Sequence, residues 1–116
     1  MSNEPQILEM LYDRFNGRDI PAVISLMDAN VLWANGMEGG HVHGHEEVRR
    51  YWMRQWAVIN PHVEPMSFAT GPDGEIIVEV RQTVHDLEGN LLVDQMIGHL
   101  FHIEDGLVKR FDIRGA

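Results

Sequence analysis

Residues 75–85 read EIIVEVRQTVH, residues 91–103 read LLVDQMIGHLFHI, and residues 107–114 read LVKRFDIR. Apolar side chains recur at about every second position in these runs, the period of a half-buried strand. The intervening DLEGN (86–90) suits a type I turn followed by Gly89 in a left-handed bulge, and EDG (104–106) is equally hairpin-like. Three strands joined by two short turns form an antiparallel meander. With a bulged loop at Leu87–Gly89, Asp86 pairs with Asn90. Counting back, Val84 faces Leu92, Gln82 faces Asp94, Val80 faces Met96 and Val78 faces Gly98. One face then carries Val78, Val80, Gln82 and Val84 with Leu92, Asp94, Met96, Gly98 and Leu100. This is the face expected beneath the helices. The other carries Glu79, Arg81, Thr83 and His85 with Leu91, Val93, Gln95 and Ile97, and it also takes Ile77, His99 and Phe101. A one-residue slip would exchange the faces of a whole strand.

Upstream of these runs the apolar period is helical. Ile7, Leu8, Leu11 and Phe15 predict an amphipathic helix over 4–16, stopped at Gly17. Asp19 is placed to cap a short helix over 22–27, with Pro21 in its first turn. Val31-Leu32-Trp33 reads as a short strand, and residues 35–40 as a glycine-rich loop. The strongest helix runs over 45–59. Glu46 and Glu47 occupy its first turn, where the helix dipole favours carboxylates. Val48, Trp52, Gln55 and Trp56 share one of its faces, and Asn60-Pro61 ends it. His62 is read as loop. Helices first and an antiparallel meander after them predict one α+β domain over residues 1–116.

A chain of 116 residues suits one domain. Nine Lys and Arg against 18 Asp and Glu give a net charge of −9, which disfavours nucleic acid and anionic membranes as partners. There is no cysteine, so disulfides, thiolate catalysis and Cys-ligated metal are excluded. The start, MSNEP, has neither a basic region nor an apolar run, and a cytoplasmic location without a signal peptide is expected. No apolar run is long enough to span a membrane.

Taken together, FNGRDIPAV (15–23), LMDANVLW (26–33), HGHEEVRRYW (43–52) and HLFHIEDGLV (99–108) resemble the SnoaL-like group of the nuclear transport factor 2 superfamily. The resemblance covers nearly the whole chain. It implies a cone-shaped, curved antiparallel sheet closed by three helices around a deep apolar pocket. Members include ketosteroid isomerase, scytalone dehydratase, polyketide cyclases, limonene epoxide hydrolase and non-catalytic binding domains, so the resemblance implies a fold rather than an activity. The isomerase needs a base and an oxyanion hole made of a tyrosine and a protonated aspartate. Alignment on the shared motifs puts its tyrosine on Leu11, beside Tyr12, its base on Trp33 and its acid on Gly98. None of these three moves a proton. A one-residue shift to Tyr12 turns the position by about 100° around the helix. Ketosteroid isomerase chemistry is therefore not implied.

Among the remaining polar residues, Asp94 opposite Gln82 is the preferred site. A carboxylate on an apolar face gains a raised pKa by desolvation and suits acid–base work; the plain alternative is a solvated, inert Asp at the rim. Trp33, Trp52 and Trp56, with Val80, Met96, Gly98 and Leu100, either line a ligand pocket around that pair or simply fill a core. His41, His43 and His45 alternate as ligands on one strand face would, but Gly44 breaks the alternation and His45 starts a helix, so no metal site is expected. His102 lies more than about 20 Å along the strand from Asp94, and His99 falls on the other face; both read as packing or interface residues. Arg49, Arg50 and Arg54 read as a solvated helix face. No nucleotide-binding or acyl-serine motif is present.

The sequence thus predicts a pocket protein for a small apolar molecule with a polar handle, requiring no cofactor. Lyase, isomerase or hydrolase chemistry is compatible, with Asp94 as its catalytic group. The alternative is a non-catalytic domain that uses its exposed sheet for partner binding. A homodimer through the convex face is expected in either case.

Overall fold

A computed structural model describes residues 4–114. Helices α1 (Glu4–Asn16) and α2 (Ile20–Ile24) are followed by strands β1 (Met27–Ala34) and β2 (His41–His43), and then by helix α3 (Gly44–Trp56). Four longer strands complete the chain: β3 (Ile59–Thr70), β4 (Ile76–Asp86), β5 (Leu91–Glu104) and β6 (Leu107–Arg114). They form one curved, unclosed six-stranded sheet in the order β2-β1-β6-β5-β4-β3. All neighbouring strands are antiparallel except β1 and β6, which run parallel. The predicted α+β architecture, with three helices and an antiparallel terminal meander, is the one observed.

The core forms where the helices meet the concave face. Leu8 and Tyr12 from α1, Val23 from α2 and Val48 and Trp52 from α3 are buried against Val31, Val78, Val80, Phe101 and Val108 of the sheet. Asp19 caps α2 as expected, its carboxylate accepting from Ala22 N. That helix is shorter than predicted because Met27, its expected end, already pairs with Val108 of β6.

Strand β3 is a correction: Ile59 was expected to end a helix and His62 to lie in a loop, and both belong to this strand. Prolines 61 and 65 obscured it, yet both sit in an edge strand, where a missing N–H is tolerated. The edge is not left bare. Asn16 at the end of α1 donates through Nδ2 to Val63 O (2.7 Å) and accepts at Oδ1 from Val63 N (3.0 Å), standing in for a neighbouring strand.

Both predicted hairpin turns form. Gly89 lies at φ 92°, and Asp86 N donates to Asn90 O at 2.9 Å. Asp105 and Gly106 both have positive φ, as a two-residue type I′ turn requires. The register beyond the first turn, however, is not the simple count. His85 pairs with Leu91, but Val84 pairs with Val93, so Leu92 is an extra, bulged residue. From there Gln82 faces Gln95, Val80 faces Ile97 and Val78 faces His99. The bulge inverts the predicted parity of β5. Val93, Gln95, Ile97, His99 and Phe101 belong to the concave side. Asp94, Met96, Gly98, Leu100 and His102 belong to the convex side. The physical reason is burial: this parity hides Ile97 and Phe101 and leaves Asp94 in water.

Candidate functional site

A cavity of about 380 Å³ opens between the helices and the concave sheet face. Its inner wall is aromatic. Trp33 of β1 stacks on Phe111 of β6 (4.1 Å between centroids, 24° between planes) and meets Trp52 of α3 edge-on at 5.4 Å. Phe15 packs against the same Trp52 at 5.5 Å. Such offset and edge-to-face pairs hold the rings rigidly. The mouth is also apolar, formed in part by the exposed Met37, Leu92 and Ile113.

Polar groups enter this wall at few points. Deepest is Tyr12 of α1, whose hydroxyl lies 2.6 Å from Nδ1 of His99 on β5. The rings are parallel within 6°, and both residues are buried. Burial drives both toward neutrality. It holds the His99 imidazole down to about 3 and pushes the Tyr12 phenol well above its ordinary value. The pair is thus an uncharged donor–acceptor unit near neutral pH, whose proton placement follows the imidazole tautomer. The hydrogen bond occupies Nδ1, and Nε2 has no partner among the described residues. His99 lines the cavity, so its second nitrogen is the ring's remaining hydrogen-bonding group.

A second station lies on α3. The Tyr51 hydroxyl accepts from Gly36 N (3.0 Å) and from Gln55 Nε2 (3.2 Å), tying the 35–40 loop to the helix. Gln55 Oε1 is buried without a partner among the described residues. A third station is the cross-strand amide pair in which Gln95 Nε2 donates to Gln82 Oε1 at 2.9 Å.

The residues singled out from sequence divide accordingly. Trp33, Trp52 and Gln82 line the cavity. Trp56 stacks on Trp52 at 5.7 Å and lies under Arg18, while Val80 is a fully buried core residue; neither reaches the lining. Met96, Gly98 and Leu100 stand on the convex face because of the Leu92 bulge. Asp94 stands there too. It takes two hydrogen bonds from Arg81 (3.1 and 2.9 Å), and its side chain is 38% exposed. That guanidinium holds the Asp94 carboxyl below its ordinary value, the reverse of the expected desolvation shift. The predicted Gln82–Asp94 pair does not form. Gln95, Val93, Ile97 and Phe101, expected on the convex side, belong to the concave one.

The residues missed are Tyr12 and His99. Each lies one position along from Leu11 and Gly98, the positions that the isomerase alignment selected. The signal was present in β5, where Val93, Ile97 and Phe101 share parity with His99. The histidines of 41–45 separate: His41 Nε2 bonds Asp112 Oδ1 at 2.8 Å on the sheet, and His45 Nε2 lies 2.9 Å from Met27 O. Among the described residues no three His, Cys, Asp or Glu side chains are grouped to hold a metal ion.

Solved structures share this architecture. An NTF2-like protein of unknown function from Burkholderia pseudomallei superposes with a TM-score of 0.86 at 26% identity, over 100% of this chain and 92% of that one. TerC co-crystallised with polyporic acid gives 0.86 at 23% identity over 99% and 92%. An LEH-like epoxide hydrolase of M. tuberculosis gives 0.77 at 14% identity over 96% and 80%. These are likenesses of fold. No curated protein matches the sequence. The SnoaL-like domain model matches residues 8–111, nearly the whole of the fold described above, and the chain belongs to the SnoaL-like domain family.

Proposed function

We propose that this chain takes an apolar small molecule into the aromatic cavity and receives its polar handle at the Tyr12–His99 pair, where a proton can be moved. The observation that carries this reading is the 2.6 Å contact between Tyr12 and His99 inside an otherwise aromatic wall. A hydrogen-bonded phenol and imidazole pass a proton in concert: His99 takes a proton at Nε2 while Nδ1 gives one to the Tyr12 oxygen, which releases its own. No ion need persist, which suits a site where burial disfavours both charged forms. Proton shifts of the isomerase or lyase kind fit such a relay. TerC, a relative by fold, was crystallised with polyporic acid, which supports an organic-ligand role for the cavity.

The test is a titration with neutral aromatic ketones and phenols, followed by the fluorescence of Trp33 and Trp52. Saturable quenching that weakens at least fivefold in His99→Leu supports the reading. Titrations that never saturate up to millimolar ligand, or saturation unchanged by that substitution, overturn it.

A second proposal concerns the convex face. Ile77, Met96 and Leu100 are partly exposed there among the Arg81–Asp94 and Arg110–Asp112 ion pairs. A surface that mixes apolar groups with both signs of charge suits a two-fold contact with a second copy of the chain. Sedimentation at micromolar concentration should give twice the 13.3 kDa of the chain; a species of 13.3 kDa alone would contradict it.

A further inference from the structure

The cavity differs from the rest of the molecule in one respect: none of the described residues that line it is Asp, Glu, Lys or Arg, although 23% of the chain is charged. Its polar groups are all neutral. They are the phenols of Tyr12 and Tyr51, the amides of Gln55, Gln82 and Gln95, the imidazole of His99 and the indole N–H groups of Trp33 and Trp52. Arg18, the cation packed on Phe15 and Trp56, lies outside the lining and donates to Phe15 O, Asn60 Oδ1 and Pro61 O.

We infer, on the proposed reading of the site, that the cavity selects uncharged aromatic molecules bearing hydroxyl or carbonyl groups and rejects their carboxylate or sulfonate counterparts. A buried anion needs a counter-charge or several strong donors to replace its water. The lining supplies no counter-charge. His99 does not become one on demand, because burial holds its imidazole down to about 3. The net charge of −9 adds a long-range repulsion of anions by the molecule as a whole. Hydroxyl and carbonyl groups, by contrast, match the stations present. The amides of Gln82 and Gln95 offer a carbonyl oxygen to a hydroxyl and an N–H to a carbonyl, and the His99 imidazole adds a further neutral group.

The test uses two probes with one ring skeleton, N-phenyl-1-naphthylamine and its sulfonated analogue 8-anilinonaphthalene-1-sulfonate, titrated into the whole chain at 0.2 M salt. The neutral probe should bind at least tenfold more tightly. Two variants with equal net charge then locate the discrimination. Gln82→Lys puts an ammonium into the lining and should narrow the preference at least fivefold. Thr83→Lys puts the same charge one residue away on the convex face and should leave the preference unchanged. Equal or tighter binding of the sulfonate to the unaltered chain overturns the inference while leaving the cavity reading intact. Identical shifts in the two lysine variants overturn it as well, since the discrimination would then come from net charge. If neither probe binds, the cavity reading and this inference fail together.

Discussion

The Tyr12 hydroxyl sits 2.6 Å from His99 Nδ1, joining α1 to β5 across 87 residues of sequence. The burial of this pair fixes how stability responds to acid. In the unfolded chain His99 takes up a proton near its ordinary value of 6.5, whereas in the fold burial holds it down to about 3. Between those values the unfolded state binds more protons. Stability therefore falls as the pH drops from about 6.5 toward 3, by up to about 1.4 kcal/mol per pH unit, and His99 contributes no slope above that range. Asp28, Asp86, Asp94 and Asp112 also have lowered values. Their losses begin only near the ordinary carboxylate range of about 4. Urea midpoints from pH 6.5 to 4.5 should thus decline in the unaltered chain and flatten in His99→Leu. An equally steep decline in both would refute the assignment.

Removing one partner tests the pair itself. Tyr12→Phe keeps the ring and its edge contact with Phe101 but leaves Nδ1 buried without a donor or acceptor. The expected loss is about 1–3 kcal/mol. The double variant Tyr12→Phe/His99→Leu should lose less than the sum of the singles by about 1 kcal/mol or more, because the stranded polar group is gone. Strict additivity in denaturant unfolding would show that the contact carries no energy.

Asp94 offers the contrasting case of an ion pair in water. Asp94→Asn should leave the urea midpoint nearly unchanged, because an ion pair in water is screened, and high salt should shrink even that small difference. The substitution should leave affinity for any cavity ligand unchanged, because the Asp94 side chain is on the convex face with Arg81. A fivefold or greater loss of ligand affinity in this variant would place Asp94 at the site after all.

Much of the fold was legible because local signals agreed: helical period in α1 and α3, Gly at the two hairpin turns, and alternation in β4 to β6. Two misreadings share one cause, a local rule overridden by tertiary burial. In β3, Ile59, Pro61, Val63 and Pro65 alternate with Asn60, His62 and Glu64, a strand pattern that the prolines disguised. Only the edge position, secured by Asn16, makes those prolines acceptable. In β5 the turn is legible from Gly89, but pairs counted outward from it assume an unbroken ladder. No residue type announces a bulge at Leu92; the gain from burying Ile97 and Phe101 does. Because side chains alternate, that single residue hid the Tyr12–His99 pair. It moved Asp94 out, turned His99 in, and left Tyr12 without a visible partner until the strand was in place.

The bulge can be removed, and the expected result is specific. Val84 pairs with Val93 and His85 with Leu91, so deleting Leu92 joins two stretches already in phase and yields an uninterrupted ladder. Gln82 should still face Gln95, and His99 should still reach Tyr12. Leu92 is 54% exposed, so its loss opens little cavity, and stability should change by less than about 1 kcal/mol. Leu92 also belongs to the apolar mouth, where a ligand would cover part of it. Losing that contact should weaken a neutral aromatic ligand by about 0.5–1 kcal/mol, roughly two- to fivefold in Kd. A thermal melt and a fluorescence titration on the deletion variant separate the two effects. If the deletion unfolds the protein, the turn-side register depends on the bulge and the in-phase argument is wrong. If it folds and binds the ligand as tightly as before, Leu92 makes no contact with the ligand and the mouth lies elsewhere.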